Sequence, residues 1–68
     1  MHVFFVYIDP ADFATLKMSD YPGVADWAFY PNDPSGARLR IKLKPTKEWD
    51  AAQADVEIQI MKFLHPEA

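Results

Sequence analysis

The chain of 68 residues predicts a small α+β domain: a two-layer sandwich in the order β-α-β-β-α, with a three-stranded, mainly antiparallel sheet and helices on one face. Three observations lead there. An apolar, aromatic and β-branched run opens the chain, and two further strand-like segments flank a cluster of turn formers. The last third recurs at helical spacing with no Gly or Pro between residues 46 and 65. One domain, 1–68, is expected, because chains divide into separate cores only at several times this length.

The opening run His2 to Ile8 (HVFFVYI) reads as a strand. Apart from His2 both of its faces are apolar, which predicts a strand covered on both sides or placed mid-sheet. Asp9-Pro10-Ala11-Asp12 then carries the marks of a helix start: an N-cap acid, proline at the first helical position and a further acid behind it. The helix is expected over Pro10 to Met18, with Phe13 and Leu16 on its inner side. Ser19 to Asp26 reads as a loop. Within it Tyr21-Pro22-Gly23 suits a type II turn, since proline presets φ and glycine accepts a positive one.

The hairpin can be specified to the register. Ala25 to Tyr30 and Arg38 to Lys44 flank Asn32-Asp33-Pro34-Ser35-Gly36. Strict alternation in the second strand requires Leu39, Ile41 and Leu43 to share the core face. Pairing Tyr30 with Arg38 then sets Phe29 opposite Leu39, Trp27 opposite Ile41 and Asp26 opposite Lys42. A shift of one residue sets Phe29 against Arg38 and loses burial at every pair.

Thr46 to Leu64 has two periodicities. Trp49, Ala52, Val56, Ile60 and Phe63 recur as one helical face, with Thr46 as N-cap, whereas Val56 to Ile60 alternates like a strand. The absence of breakers and the run Ala51-Ala52-Gln53-Ala54 favour the helix. His65-Pro66 ends it.

Composition narrows the function classes. Half of the residues are apolar and 15% aromatic, which places the chain among folded proteins. The lack of cysteine excludes disulfides, cysteine zinc sites and thiol chemistry. Two glycines cannot build a glycine-rich phosphate loop, and the hydroxyl residues Ser19, Ser35, Thr15 and Thr46 fall at loop, cap or surface positions with no base beside them. His2 and His65 lie at opposite ends of the chain and form no metal pair unless the termini meet. No cofactor and no enzymatic activity are expected. The longest apolar run is too short for a membrane span and nothing basic precedes it as in a secretory signal, so a cytoplasmic protein is expected.

The net charge of -3 hides a partition. Residues 1–36 hold five Asp and one Lys, and residues 48–68 hold five acids and Lys62. Between them Arg38, Arg40, Lys42, Lys44 and Lys47 stand without an acid, and the first four share one face of a strand. Such a stripe contacts an acidic protein surface or, with Tyr30 as a stacking partner, a single nucleic-acid strand. The alternative is that it keeps an exposed sheet face soluble and resists edge pairing. A second candidate surface is the back of the C-terminal helix, where Ile58 and Met61 form an apolar stripe that a chain this small leaves uncovered, open to a second copy or to another protein. Tyr21 in its loop and Tyr30 form a third, aromatic patch.

Phe4-Phe5-Val6-Tyr7-Ile8-Asp9 and the overall size resemble the MbtH-like accessory proteins, but their Ser-Leu-Trp-Pro signature is missing. A tautomerase of this length requires proline where His2 stands. Neither family is assigned. The expected function is a small interaction protein that regulates or inhibits another protein, of a kind suited to phages and mobile elements. A nucleic-acid-contacting module on Arg38, Arg40, Lys42 and Lys44 is the alternative.

Overall fold

The computed structural model describes residues 2–66; Met1, Glu67 and Ala68 lie outside the described residues. The elements are β1 (Val3–Tyr7), α1 (Pro10–Phe13), a 3₁₀ turn (Met18–Asp20), β2 (Val24–Tyr30), β3 (Arg38–Leu43) and α2 (Trp49–Leu64). The strands form one antiparallel sheet in the order β1-β3-β2, so the last strand to leave the ribosome lies between the other two. The expected two-layer α+β sandwich is the observed fold.

The hairpin takes the expected register, Tyr30 with Arg38, Phe29 with Leu39, Trp27 with Ile41 and Asp26 with Lys42. Its loop is held by Asp33, whose carboxylate accepts the Ser35 N–H at 2.9 Å, while the Gly36 N–H bonds the Asp33 carbonyl at 2.9 Å. Gly36 closes the loop at φ 113°, a conformation few side chains tolerate. At the other end of β2 a bulge between Val24 and Asp26 leaves Ala25 as the extra residue.

The core is the inner face of β3 with what lies above it. Leu39, Ile41 and Leu43 are sealed from solvent, as are Val56 and Ile60 of α2 and Phe4 and Ile8 at the β1 side. Residues 55–64 are therefore helix: an amphipathic helix can set Val56 and Ile60 on β3, whereas the strand pattern would need another edge to pair with. Thr46 is not its N-cap. The helix enters through Glu48, whose N–H donates to Thr46 Oγ1 at 3.2 Å.

Four expectations are corrected. First, β1 is neither mid-sheet nor covered twice; it is an edge strand, with Phe4, Val6 and Ile8 turned inward and Val3, Phe5 and Tyr7 exposed on the other face. Its apolar outer parity is a surface, not a second core. Second, the helix after Asp9 stops at Phe13 instead of Met18. The Thr15 hydroxyl and N–H both bond the Asp12 carbonyl, and Leu16 N–H bonds the Phe13 carbonyl, i to i+3 contacts that tighten the chain into 3₁₀-type turns and end the α-helix. Leaving the α-helical repeat lets Leu16, Met18 and Tyr21, which share no helical face, all reach the core.

Third, the turn at Tyr21 to Val24 is closed by Val24 N–H to the Tyr21 carbonyl at 3.0 Å, but Gly23 has no positive φ and the turn is not type II. A Cβ at Gly23 would meet Val56 at 3.8 Å, an ordinary contact. Fourth, Phe63 is exposed, and Leu64 packs against the core in its place. Leu64 lies on the β1 side of the helix, where it shares a groove with Tyr7 and Ile8, and Phe63, about 100° away around the helix, is turned from it.

This packing separates two apolar residues of one helix. In urea unfolding Ile60→Ala is expected to cost about 2–5 kcal/mol, as truncation of a sealed core residue does, and Phe63→Ala less than about 1 kcal/mol. Equal losses would restore Phe63 to the core.

Candidate functional site

The alternation that buries Leu39, Ile41 and Leu43 turns Arg38, Arg40 and Lys42 to the opposite face of the central strand. Register carries the neighbours along. Across the sheet from β1 to β2 the rows are Tyr7, Arg38, Tyr30; Phe5, Arg40, Ala28; and Val3, Lys42, Asp26. No helix among the described residues covers this face. Phe5 is 46%, Tyr7 64% and Tyr30 40% exposed, large values for side chains of this kind.

The cations lie among the aromatic rings. The Arg38 guanidinium carbon is 4.3 Å from the centroid of the Phe5 ring and 6.0 Å from that of Tyr30, within cation–π range of both. Its Nε lies 3.1 Å from an Asp33 carboxylate oxygen, the one ion pair among the described residues. Arg38 is thus held between two rings and the hairpin loop. Ala28 gives Arg40 a shallow neighbour, and the Arg40 Nε is shielded from water without a hydrogen-bond partner.

Lys42 faces Asp26 in register, yet the two form no ion pair. The Asp26 carboxylate instead accepts the N–H of Trp27 at 2.8 Å. Arg40 and Lys42 therefore hold positive charge with no carboxylate partner among the described residues. Lys44 lies one residue beyond the end of β3 and is exposed, so the stripe within the sheet is Arg38, Arg40 and Lys42.

Edge protection no longer explains the stripe, because β3 has a strand on each side. Solubility alone does not explain a face on which three exposed aromatic rings and Val3 surround the cations. Phe5 and Tyr7 are the residues that reading the sequence missed. The signal was present in their odd parity: once β1 is placed beside β3, the apolar odd residues must share the face of the even cations.

The other candidates separate from this face. Tyr21 is not part of an aromatic patch; it is buried in the core, where burial and then the nearby Asp20 charge push its hydroxyl pKa up. Tyr30 belongs to the outer sheet face. Ile58 and Met61, 53% and 49% exposed, line a shallow apolar depression on α2 with Glu57 and His65. His2 stacks on Trp49 at 5.2 Å and bonds Gln53 near the start of α2, whereas His65 caps its end; a helix of 16 residues, about 24 Å, lies between them. No helix among the described residues is long and apolar enough to cross a membrane.

Comparison with known proteins finds no family model, no curated protein and no solved structure that matches this chain.

The Asp33 brace gives the face a pH dependence. Its carboxyl is held below the ordinary 3.8 first by the Ser35 hydroxyl and N–H, then by Arg38. A carboxyl with a lowered folded-state pKa stabilises the fold fully above its unfolded value and loses that contribution as pH falls through the folded one. Asp33→Asn is therefore expected to lower the urea midpoint at about pH 6, by an amount that shrinks as pH falls below the ordinary carboxyl range. A gap that stays constant across this range would show that the charge of Asp33 plays no part.

Proposed function

We propose that this protein is a small binding module without chemistry of its own, and that the outer face of its sheet docks on an acidic and apolar surface of another protein. The observation that carries the reading is one open sheet face that bears the exposed Phe5, Tyr7 and Tyr30 rings beside Arg38 and Arg40, with Arg40 and Lys42 holding no carboxylate partner among the described residues. Aromatic residues and Arg dominate the energetically important centres of protein interfaces. Here they stand on regular strands, so little side-chain or loop ordering is needed on association. A role as regulator or inhibitor, a cytoplasmic setting and an origin in a phage or mobile element extend the proposal. They rest on small size, acidity and the lack of cysteine.

Charge arithmetic favours a protein over a polyanion. Affinity for a single nucleic-acid strand scales with the phosphates neutralised, with a salt slope of about -0.7 for each. Arg38 is already paired with Asp33, which leaves Arg40 and Lys42 on the face, and the flanking segments each carry a net of -4. One geometric fact supports the nucleic-acid reading all the same. Phe5 and Tyr7, two residues apart on one strand face, stand about 7 Å from each other, a spacing on which successive bases can stack.

The test uses the immobilised chain and its variants against extract from its native host. Arg40→Glu and Tyr7→Ala are each expected to lose a protein that the parent retains, by about tenfold or more, with unchanged circular dichroism. Retention that survives both substitutions removes the outer face from the proposal. In parallel, anisotropy of a labelled oligonucleotide at low salt is expected to stay flat; a rise that Arg40→Glu abolishes would select the nucleic-acid reading instead.

A further inference from the structure

Helix α2 has a second seam, opposite the one that seats it on the sheet. Val56 and Ile60 are sealed against the core, with Trp49, Ala52 and Leu64 packed beside them. At about 100° per residue, Ala51, Ala54, Ile58, Met61 and His65 fall on the far side of the helix, and all five are exposed. Along the chain they follow one another by 3, 4, 3 and 4 residues, the a and d positions of two heptads.

The positions beside this seam are as particular as the seam. Asp55 and Lys62 stand on one side of it and Glu57 and Leu64 on the other. Both Asp55 and Lys62 are exposed, and Lys62 has no carboxylate partner among the described residues.

The depression on this face has the outline of a coiled-coil hole. A knob from a facing helix inserts among four residues at i, i+3, i+4 and i+7. Ile58, Met61, Lys62 and His65 stand at those four positions and line the depression, with Glu57 at its rim. The knob it takes is one apolar side chain, and the chain carries such a side chain, Ile58, on the same seam.

We infer that α2 packs antiparallel against α2 of a second copy, with the two-fold axis between Ile58 and Met61. Each a position then faces a d position, and every contact occurs twice. Ile58 of each copy meets Met61 of the other and enters the hole among Ile58, Met61, Lys62 and His65. Ala54 meets His65, and its small side chain allows the axes to approach to about 8–10 Å.

The charges select this arrangement. A two-fold axis across the seam sets each flank against the same flank of the other copy, so Asp55 stands beside Lys62 on both halves. Glu57 stands beside Leu64, and no like charges are set together. A parallel pair would instead place Asp50 beside Asp55, acid against acid, twice. A foreign helix would have to bring its own knob, acid and base at the matching places; a second copy brings all three by symmetry.

The product has four layers: sheet, helix, helix, sheet. Both outer sheet faces stay open and point in opposite directions, so one dimer presents the aromatic and cationic rows to two sites at once. The inference does not depend on what those faces bind. Two heptads bury less than the roughly 800 Å² per partner of a stable complex, so monomer and dimer exchange and the dimer fills as concentration rises.

Sedimentation equilibrium of the full chain is expected to show the dimer prevailing by about 1 mM. Ile58→Asp, which puts a carboxylate into each hole, should raise the dissociation constant by about tenfold or more with unchanged circular dichroism. Asp55→Lys and Lys62→Glu each set like charges together at two places and should raise it by about threefold or more at low salt. Combined in one chain, the two substitutions exchange the charges and should return the parental value. All three positions are exposed, so the fold of the single copy is preserved.

A chain that stays monomeric at about 1 mM overturns the inference. So does a dimer that Ile58→Asp leaves intact. A dimer that Asp55→Lys tightens relieves an acid pair in parallel helices and overturns it as well, as does a charge exchange no tighter than its single variants. Partner binding by the outer sheet face is scored separately with Arg40→Glu, so either reading can fail while the other stands.

Discussion

Everything in this molecule depends on the two-sidedness of one strand. β3 is central, and its residues alternate without exception between sealed aliphatics and cations. Leu39, Ile41 and Leu43 hold the helix layer; Arg38, Arg40 and Lys42 need water or a partner on the other side. A register slip by one residue on β2 would turn Asp26, Ala28 and Tyr30 toward the helix layer and Trp27 and Phe29 outward, which loses apolar burial and encloses a carboxylate. The strand therefore dictates which residues of β1 and β2 become core and which become surface. It also fixes the sheet as two-layered, because a second helix layer could not cover the cations.

That constraint explains what could and could not be read from the chain. The hairpin was legible to the residue because two independent signals coincide there: turn formers limit where the chain reverses, and alternation limits the parity. Helix α2 was legible once the absence of breakers was weighed against the alternation of Val56 to Ile60. The place of β1 was not. An HVFFVYI run satisfies the pattern of a buried central strand as well as that of an edge strand with one apolar face outside, and periodicity says nothing about strand order. The segment 14–23 was illegible for another reason: Leu16, Met18 and Tyr21 enter the core through turns, with no repeat to announce them.

The candidate face was half legible for the same reason. Its cations stood out as a run without acids, but its aromatic half lay on a strand misplaced in the sheet. Restoring β1 to the edge beside β3 changes the chemistry of the stripe. Isolated cations on a sheet read as solubilising; the proposed contact surface rests instead on cations beside exposed rings, with Arg38 over Phe5 and Tyr30 and paired to Asp33, and Arg40 and Lys42 without a carboxylate partner among the described residues. In the proposed docking, the net charge of -4 on each flanking segment argues against a general polyanion site and for a partner of opposite local charge.

The account stands on the exposure of that aromatic half, and solvent paramagnetic attenuation by a neutral gadolinium chelate reads it directly by NMR. Ring protons of Phe5, Tyr7 and Tyr30 and the methyls of Val3 should be strongly attenuated, while the methyls of Leu39, Ile41 and Leu43 and the ring of Tyr21 should not. Protection of the Phe5 and Tyr7 rings to the level of Ile41 would contradict the account.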